Sequence, residues 1–287
     1  KVAYFAVATL DEAIELSRAH ITTPIFILGG VRIEDLPLIV KYQLTISVHS
    51  LYWLERASMI PHLKPIKIHL KLDTGMHRLG MTPEEFRMAY ELVRTSKTWK
   101  LEGIFSHLAT SEEDDQSYYQ QQMTLFQSCL DKIDTNGLII HIDNSAGAIK
   151  PHPPFVTMVR IGLMINGQKP RPDLKLSFDL KPSLSLYSSL VQVKLVPKNQ
   201  KLSYNGLYKT KDDEWIGTIP IGYADGLDRR YFDGYVYVDG HRCLIVGRIC
   251  MDYTLIRLPK YYPEGTQIEI FGEHISIDEY AEKIKTN

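Results

Sequence analysis

Short apolar runs alternate with helical patterns through residues 1–175, and this alternation limits the fold more than any other feature of the chain. The runs at 2–7, 25–28, 44–48, 66–72, 101–106, 138–142 and 157–161 have the length and bounding residues of strands. Helix starts lie between them. Thr9 with Glu12, and Thr82-Pro83-Glu84-Glu85, each place a capping hydroxyl three residues before a glutamate that reaches back to the cap. Strands separated by helices pair in parallel, because a parallel neighbour needs a long crossover. Seven strands is one short of a closed barrel. The expectation is α/β: a TIM-like (β/α)8 barrel over 1–175 whose first strand lies before residue 1.

The pattern then changes. Runs at 184–196 (read as one long strand), 216–221, 235–238, 242–246, 254–258 and 267–271 indicate a β-domain over 176–287, with a helix from about residue 277. Asp239-Gly240 between two β-rich runs predicts a type I′ hairpin, with a register shift at His241. Lys plus Arg (33) balances Asp plus Glu (34), which argues against nucleic acid as the main partner. No apolar run approaches the ~18–20 residues of a membrane span. Cys129, Cys243 and Cys250 are too scattered for a disulfide framework or a metal site. A cytoplasmic protein is expected. The chain opens in an apolar run without Met, which reads as an incomplete N-terminus.

A barrel carries its chemistry on the loops after its strands. Those loops hold Lys71-Leu72-Asp73-Thr74-Gly75-Met76-His77-Arg78-Leu79-Gly80, then His107, then Asp143-Asn144-Ser145-Ala146-Gly147, then Arg160-Ile161-Gly162-Leu163. The last two would follow strands seven and eight, where barrels commonly bind phosphate. Ser145 can offer a hydroxyl there, and Gly162 lets backbone N–H groups approach an anion. Asn144-Ser145 equally reads as a plain helix cap.

These segments, with Tyr4-Phe5-Ala6-Val7-Ala8-Thr9-Leu10-Asp11-Glu12-Ala13, Gly217-Thr218-Ile219-Pro220-Ile221-Gly222-Tyr223-Ala224-Asp225-Gly226 and Val246-Gly247-Arg248-Ile249-Cys250-Met251-Asp252, resemble alanine racemase, a fold-type III family dependent on pyridoxal 5'-phosphate (PLP). The resemblance runs over essentially the whole chain. It implies a bacterial cytoplasmic homodimer with shared active sites that interconverts L- and D-alanine and supplies D-alanine for peptidoglycan. It implies PLP contacts from His107, Asn144, Ser145, Gly162 and Leu163, and Arg160 at the pyridine nitrogen. Arginine does not give up its proton, so it donates a hydrogen bond and leaves that nitrogen neutral. Tyr204 matches the catalytic tyrosine supplied by the partner subunit. Arg78, Tyr223 and Met251 match substrate-site residues, with Met251 also from the partner. His141 and Asp252 match supporting positions, and Lys71 a lysine carbamylated by CO₂.

The family's Schiff-base lysine has no counterpart. Lys1 is followed by Val2-Ala3-Tyr4-Phe5, which matches the second strand, and a C-terminal phosphate-contacting tyrosine would lie past Asn287. His77 replaces a small residue before the arginine, which questions the packing of that loop. Met164-Ile165-Asn166-Gly167 lacks the tyrosine common before that glycine. Other readings are a serine or broad-specificity racemase and a catalytically incomplete PLP-binding fragment. A decarboxylase on the same fold would need an acid where Arg160 stands.

Overall fold

A computed structural model describes every residue except Lys1, His62, Leu63, Pro172 and Asn287. Lys1, set aside above as the cofactor lysine, therefore lies outside the described residues. The chain forms two compact units, Lys1–Met164 and Ile165–Asn287. The sequence pattern sets the change near 175.

The first unit alternates β1 (Phe5–Val7), α1 (Leu10–Arg18), β2 (Ile25–Ile27), α2 (Leu36–Tyr42), β3 (Thr45–Val48), α3 (Leu51–Ser58), β4 (Ile66–Lys71), α4 (Pro83–Arg94), β5 (Trp99–Phe105), α5 (Ser117–Leu130) and β6 (Ile139–His141). The six strands pair in parallel in sequence order. Both predicted capping boxes form: Thr9 with Glu12, and Thr82 with Glu85. Helix residues such as Leu36, Leu54, Phe86 and Phe126 pack on one sheet face with Ile46, Ile68 and Ile104. The other face carries Phe26, His69, Phe105 and His141.

One predicted strand is absent. Residues 157–161 do not form a regular strand, although Thr157 and Met158 donate to Ile140 O and Arg160 N–H to Asp143 O. On the β6 side, the Ile140 N–H donates to the Thr157 hydroxyl at 2.9 Å instead of to a backbone carbonyl of this segment, which interrupts a ladder at its first position. The segment follows β6 without completing its pairing, and this places Arg160.

In the second unit, β7 (Leu186–Ser189), β8 (Gln192–Val196), β9 (Lys201–Leu202), β10 (Tyr208–Lys209), β11 (Glu214–Ile219), β12 (Tyr235–Val238), β13 (His241–Leu244), β14 (Thr254–Leu258) and β15 (Gln267–Phe271) precede α6 (Ile277–Ile284). All their pairings are antiparallel. The expected long strand at 184–196 is two strands in different sheets: β7 pairs with β15 and β8 with β11. Leu190, 1% exposed, sits at the break and anchors it in the core. The hairpin turns at Asp239-Gly240, both at positive φ, but Val238 pairs directly with His241, so there is no register shift there. Among the described residues, no helix is long and apolar enough to cross a membrane.

Candidate active site

The first unit gathers Lys71, His107, His141, Ser145 and Arg160 where its strands end. Lys71 closes β4 and is 6% exposed, its ammonium 5.3 Å from the Phe105 ring centre. Burial, with the charges of Arg78 and Arg160, lowers its pKa to about 8. Arg78 is exposed on the following loop. Asp73 builds that loop: its Oδ1 accepts the N–H groups of Gly75 and His77 at 3.0 Å, and its Oδ2 pairs with His77 Nδ1 at 3.0 Å. His77 has φ 52°, the left-handed region, and its side chain points to solvent. The expected packing conflict therefore does not arise. A small residue suits this backbone, and His77 adopts it with Asp73 as a local brace.

Arg160 lies at the centre. Its Nη1 is 2.6 Å from His141 Nδ1, and its Nη2 reaches Ser106 O (2.8 Å), Ile142 O (3.0 Å) and His107 Nδ1 (3.1 Å). Burial draws its pKa down to about 10, opposed by the Asp143 charge, so the guanidinium stays cationic at neutral pH. Burial and the nearby cations hold His107 at about 4. His141 is fully buried, well below the ordinary histidine range, and stacks on Phe105 at 4.8 Å and 3°.

Beside them lies Ser145. Ser145 Oγ accepts from Gly162 N–H at 3.1 Å and Met164 N–H at 3.4 Å, which leaves its own proton free to donate. A Cβ on Gly162 would meet nothing within 4 Å, so its backbone faces open space. Leu163 follows at the start of a short 3-10 turn, Leu163–Asn166. Asn144 is different. Its Oδ1 accepts from Ser111 Oγ (2.8 Å) and Gly147 N–H (2.9 Å), so it braces the turn that carries Ser145. Asn144 is thus committed to the turn, whereas Ser145 keeps a hydroxyl proton free.

Three participants escaped the sequence analysis. His69 of β4 contacts His141 at 2.8 Å. Phe105 underlies both Lys71 and Arg160. Gln122, fully buried on α5, donates to His107 O and Thr74 Oγ1 and accepts Ala109 N–H, tying together the loops after β4 and β5. Nothing in the sequence sets Gln122 apart from Gln120 and Gln121 beside it.

The second unit clusters the remaining expected residues on its own loops. Tyr204 is 68% exposed between Ser203 and Asn205, both at positive φ. Ser203 Oγ donates to Arg248 O at 2.8 Å. Tyr223 N–H donates to Cys250 O and Ala224 N–H to Met251 O, both at 3.0 Å. A Cβ on Gly222 would lie 2.2 Å from Met251 O, so only glycine permits that approach. Tyr223, Met251 and Asp252 are therefore carried with Tyr204 on mutually hydrogen-bonded loops, exposed together.

A donor-only cation beside two neutral histidines, with a free serine hydroxyl next to the open backbone at Gly162, suits a phosphorylated pyridine. Comparison with known proteins identifies the family. The family model "Alanine racemase, N-terminal domain" matches residues 1–170, and "Alanine racemase, C-terminal domain" matches 183–287. An alanine racemase of Geobacillus kaustophilus is 42% identical over 98% of this chain and 75% of its own length. The crystal structure of alanine racemase from E. faecalis superposes with a TM-score of 0.92 at 40% identity, over 98% of this chain and 78% of that one. One from Bacillus anthracis with bound L-Ala-P gives 0.87 at 35%, over 98% and 76%.

Proposed function

Because the chain belongs to the alanine racemase family of PLP-dependent isomerases, we propose that it interconverts L- and D-alanine by two bases on opposite faces of Cα. The observation that carries the reading is Arg160, held at the rim by His107 and His141 where the resemblance expects the pyridine nitrogen.

Bound PLP supplies an electron sink that acidifies the Cα proton of the amino acid attached to it. Arg160 would hold the ring nitrogen by donating to it without protonating it, which weakens the sink and disfavours side reactions such as transamination. Ser145 and the N–H groups around Gly162 would hold the phosphate. Tyr204, from the partner subunit, would serve as one base, and the lysine that holds PLP in this family would serve as the opposite one. A free phenol is a weak base at neutral pH. The accepting Nδ1 of His107 leaves its Nε2 as an N–H donor, so His107 would favour a tyrosinate by donating to it. Arg78 and the Met251 N–H would hold the substrate carboxylate, with Tyr223 narrowing the entrance and Asp252 supporting. The exposure of Tyr204 and Met251 on braced loops supports a homodimer with shared sites. Cytoplasmic D-alanine supply for peptidoglycan is the corresponding role.

The test uses the full-length holoprotein with alanine, serine and bulky amino acids. Alanine should turn over fastest, and preference for bulky or basic substrates would overturn the assignment. Tyr204→Phe should stop solvent-deuterium exchange at Cα for one alanine enantiomer and spare the other. Unchanged exchange of both would remove Tyr204 from the mechanism.

A further inference from the structure

A guanidinium has hydrogens and no lone pair to offer, so every group it meets in a hydrogen bond is an acceptor. Arg160 Nη1 lies 2.6 Å from His141 Nδ1. That nitrogen must carry the lone pair, and a neutral His141 then bears its proton on Nε2. His141 Nε2 lies 2.8 Å from His69 Nδ1. It donates there, so His69 also bears its proton on Nε2. Arg160 Nη2, 3.1 Å from His107 Nδ1, sets the same tautomer on His107. One donor-only group thus dictates the protonation of three histidines.

The row cannot run the other way. A proton on His69 Nδ1 would face the His141 Nε2–H. Moving that proton across His141 would set an N–H against the guanidinium. The far end closes the row as well: His69 Nε2 is buried and has no protein hydrogen-bond partner among the described residues. Both ends are donors, so the arrangement holds a geometry and does not conduct a proton.

The fold makes room for this. A Cβ on Gly103 would stand 2.7 Å from His69 Nδ1 and 2.6 Å from Ile139 O, so glycine at this position of β5 admits the imidazole. A register shift between Ile68 and His69 brings Gly103 opposite it. Phe26 covers the ring at 4.5 Å, and Phe105 stacks on His141. Burial and the Arg160 charge, against the pull of Glu102, keep His69 near a pKa of about 4.

We infer that His69 is a positioning residue: its Nδ1 lone pair fixes the His141 tautomer, and His141 in turn fixes the aim of the Arg160 guanidinium. Nη2 is occupied by Ser106 O, Ile142 O and His107, and one Nη1 hydrogen by His141. The Nε–H and the second Nη1–H are what remain for a ring nitrogen. The kinetic consequence rests on the racemase reading; the tautomers do not.

The test is ¹⁵N NMR of the histidine-labelled full-length holoprotein near pH 7.5, with kinetics alongside. His69, His107 and His141 should each show the neutral Nε2–H pattern. His69→Leu removes the acceptor: His141 should lose its single-tautomer signature, and kcat should fall about 10-fold with KM little changed, the scale of lost orienting hydrogen bonds. His69→Asn, whose Oδ1 can accept in place of Nδ1, should restore the signature and most of kcat. A cationic or Nδ1–H His141 in the unsubstituted protein overturns the inference without any variant having to fold. So does a folded His69→Leu with unaltered His141 signals and kcat. Normal tautomers without racemisation would refute the functional reading and leave the lock intact.

Discussion

Lys71, Arg78 and Arg160 bring three cations together, and among the described residues only Asp73 is a charge that favours protonation of Lys71. With a pKa of about 8, roughly a quarter of Lys71 is neutral amine at pH 7.5, against about a thousandth at the ordinary 10.5. That is a gain of some 200-fold in the form that reacts with CO₂. The ammonium first gives up one proton; the amine lone pair then attacks the carbon, a C–N bond forms as one C–O π bond of CO₂ opens onto oxygen, and a second proton leaves nitrogen for solvent, so a cation becomes a carboxylate-like anion with two protons released. Arg78 then gains a bidentate partner where it had a like charge. A charge-assisted pair of this kind contributes about 1.5–3 kcal/mol. If it orders Arg78 only when the substrate reacts, Lys71→Ala should lower kcat/KM by about 10- to 150-fold. Acetate should restore part of the loss by filling the place of the carbamate. With ¹³CO₂, the full-length holoprotein should show one protein-bound carbamate resonance that Lys71→Ala abolishes, and at fixed dissolved CO₂ its occupancy should rise with pH. No labelled carbamate at saturating CO₂, or an Ala variant with full activity, would sink the reasoning.

Other perturbations read different parts of the molecule. Gly103→Ala should destabilise the first unit by about 1–2 kcal/mol, the usual cost of overpacking less the gain of replacing a strand glycine, and should broaden the His69 and His141 resonances. A melting temperature at or above the parent's would show that the His69 ring has room to move. Glu269 is 5% exposed. Burial raises its pKa, but the His274 imidazole and the N–H groups of His274 and Ile275 outweigh that and hold it below its ordinary value. Its contribution is therefore present above the unfolded pKa and lost as pH falls through the folded one. Glu269→Gln should cost about 1–2 kcal/mol in denaturant unfolding at pH 7 and little in acid; an equal cost at both would exclude the charge as the cause.

How much of this was legible depends on how far apart the causes lie in the chain. Thr9 and Thr82 cap helices with glutamates three residues away, and Asp239-Gly240 makes its turn from its own backbone preferences. Such interactions close within a few residues, so composition and spacing reveal them. The split of 184–196 did not show, because both halves are β-rich and what separates them is the choice of partner, β15 for one and β11 for the other. Residues 157–161 look like a strand by apolar content, yet strand identity also needs a ladder, and only three backbone hydrogen bonds join this segment to β6 and the loop after it.

The site divides in the same way. Residue order alone determined the βα alternation, the β-rich second half and, through resemblance, Lys71, His107, Ser145 and Arg160 as rim residues. Tertiary structure decided what surrounds them. His69 and His141 are 72 residues apart and meet because β4 and β6 flank β5, with glycine at the one position of β5 where a side chain would fill the gap. Asn144 and Ser145 are adjacent polar residues that sequence reads as one motif. In space one turns inward to Gly147 and the other toward Gly162. The physical reason is that a residue's type limits which bonds it can make, while the register of distant strands and the space between them select which of those bonds form.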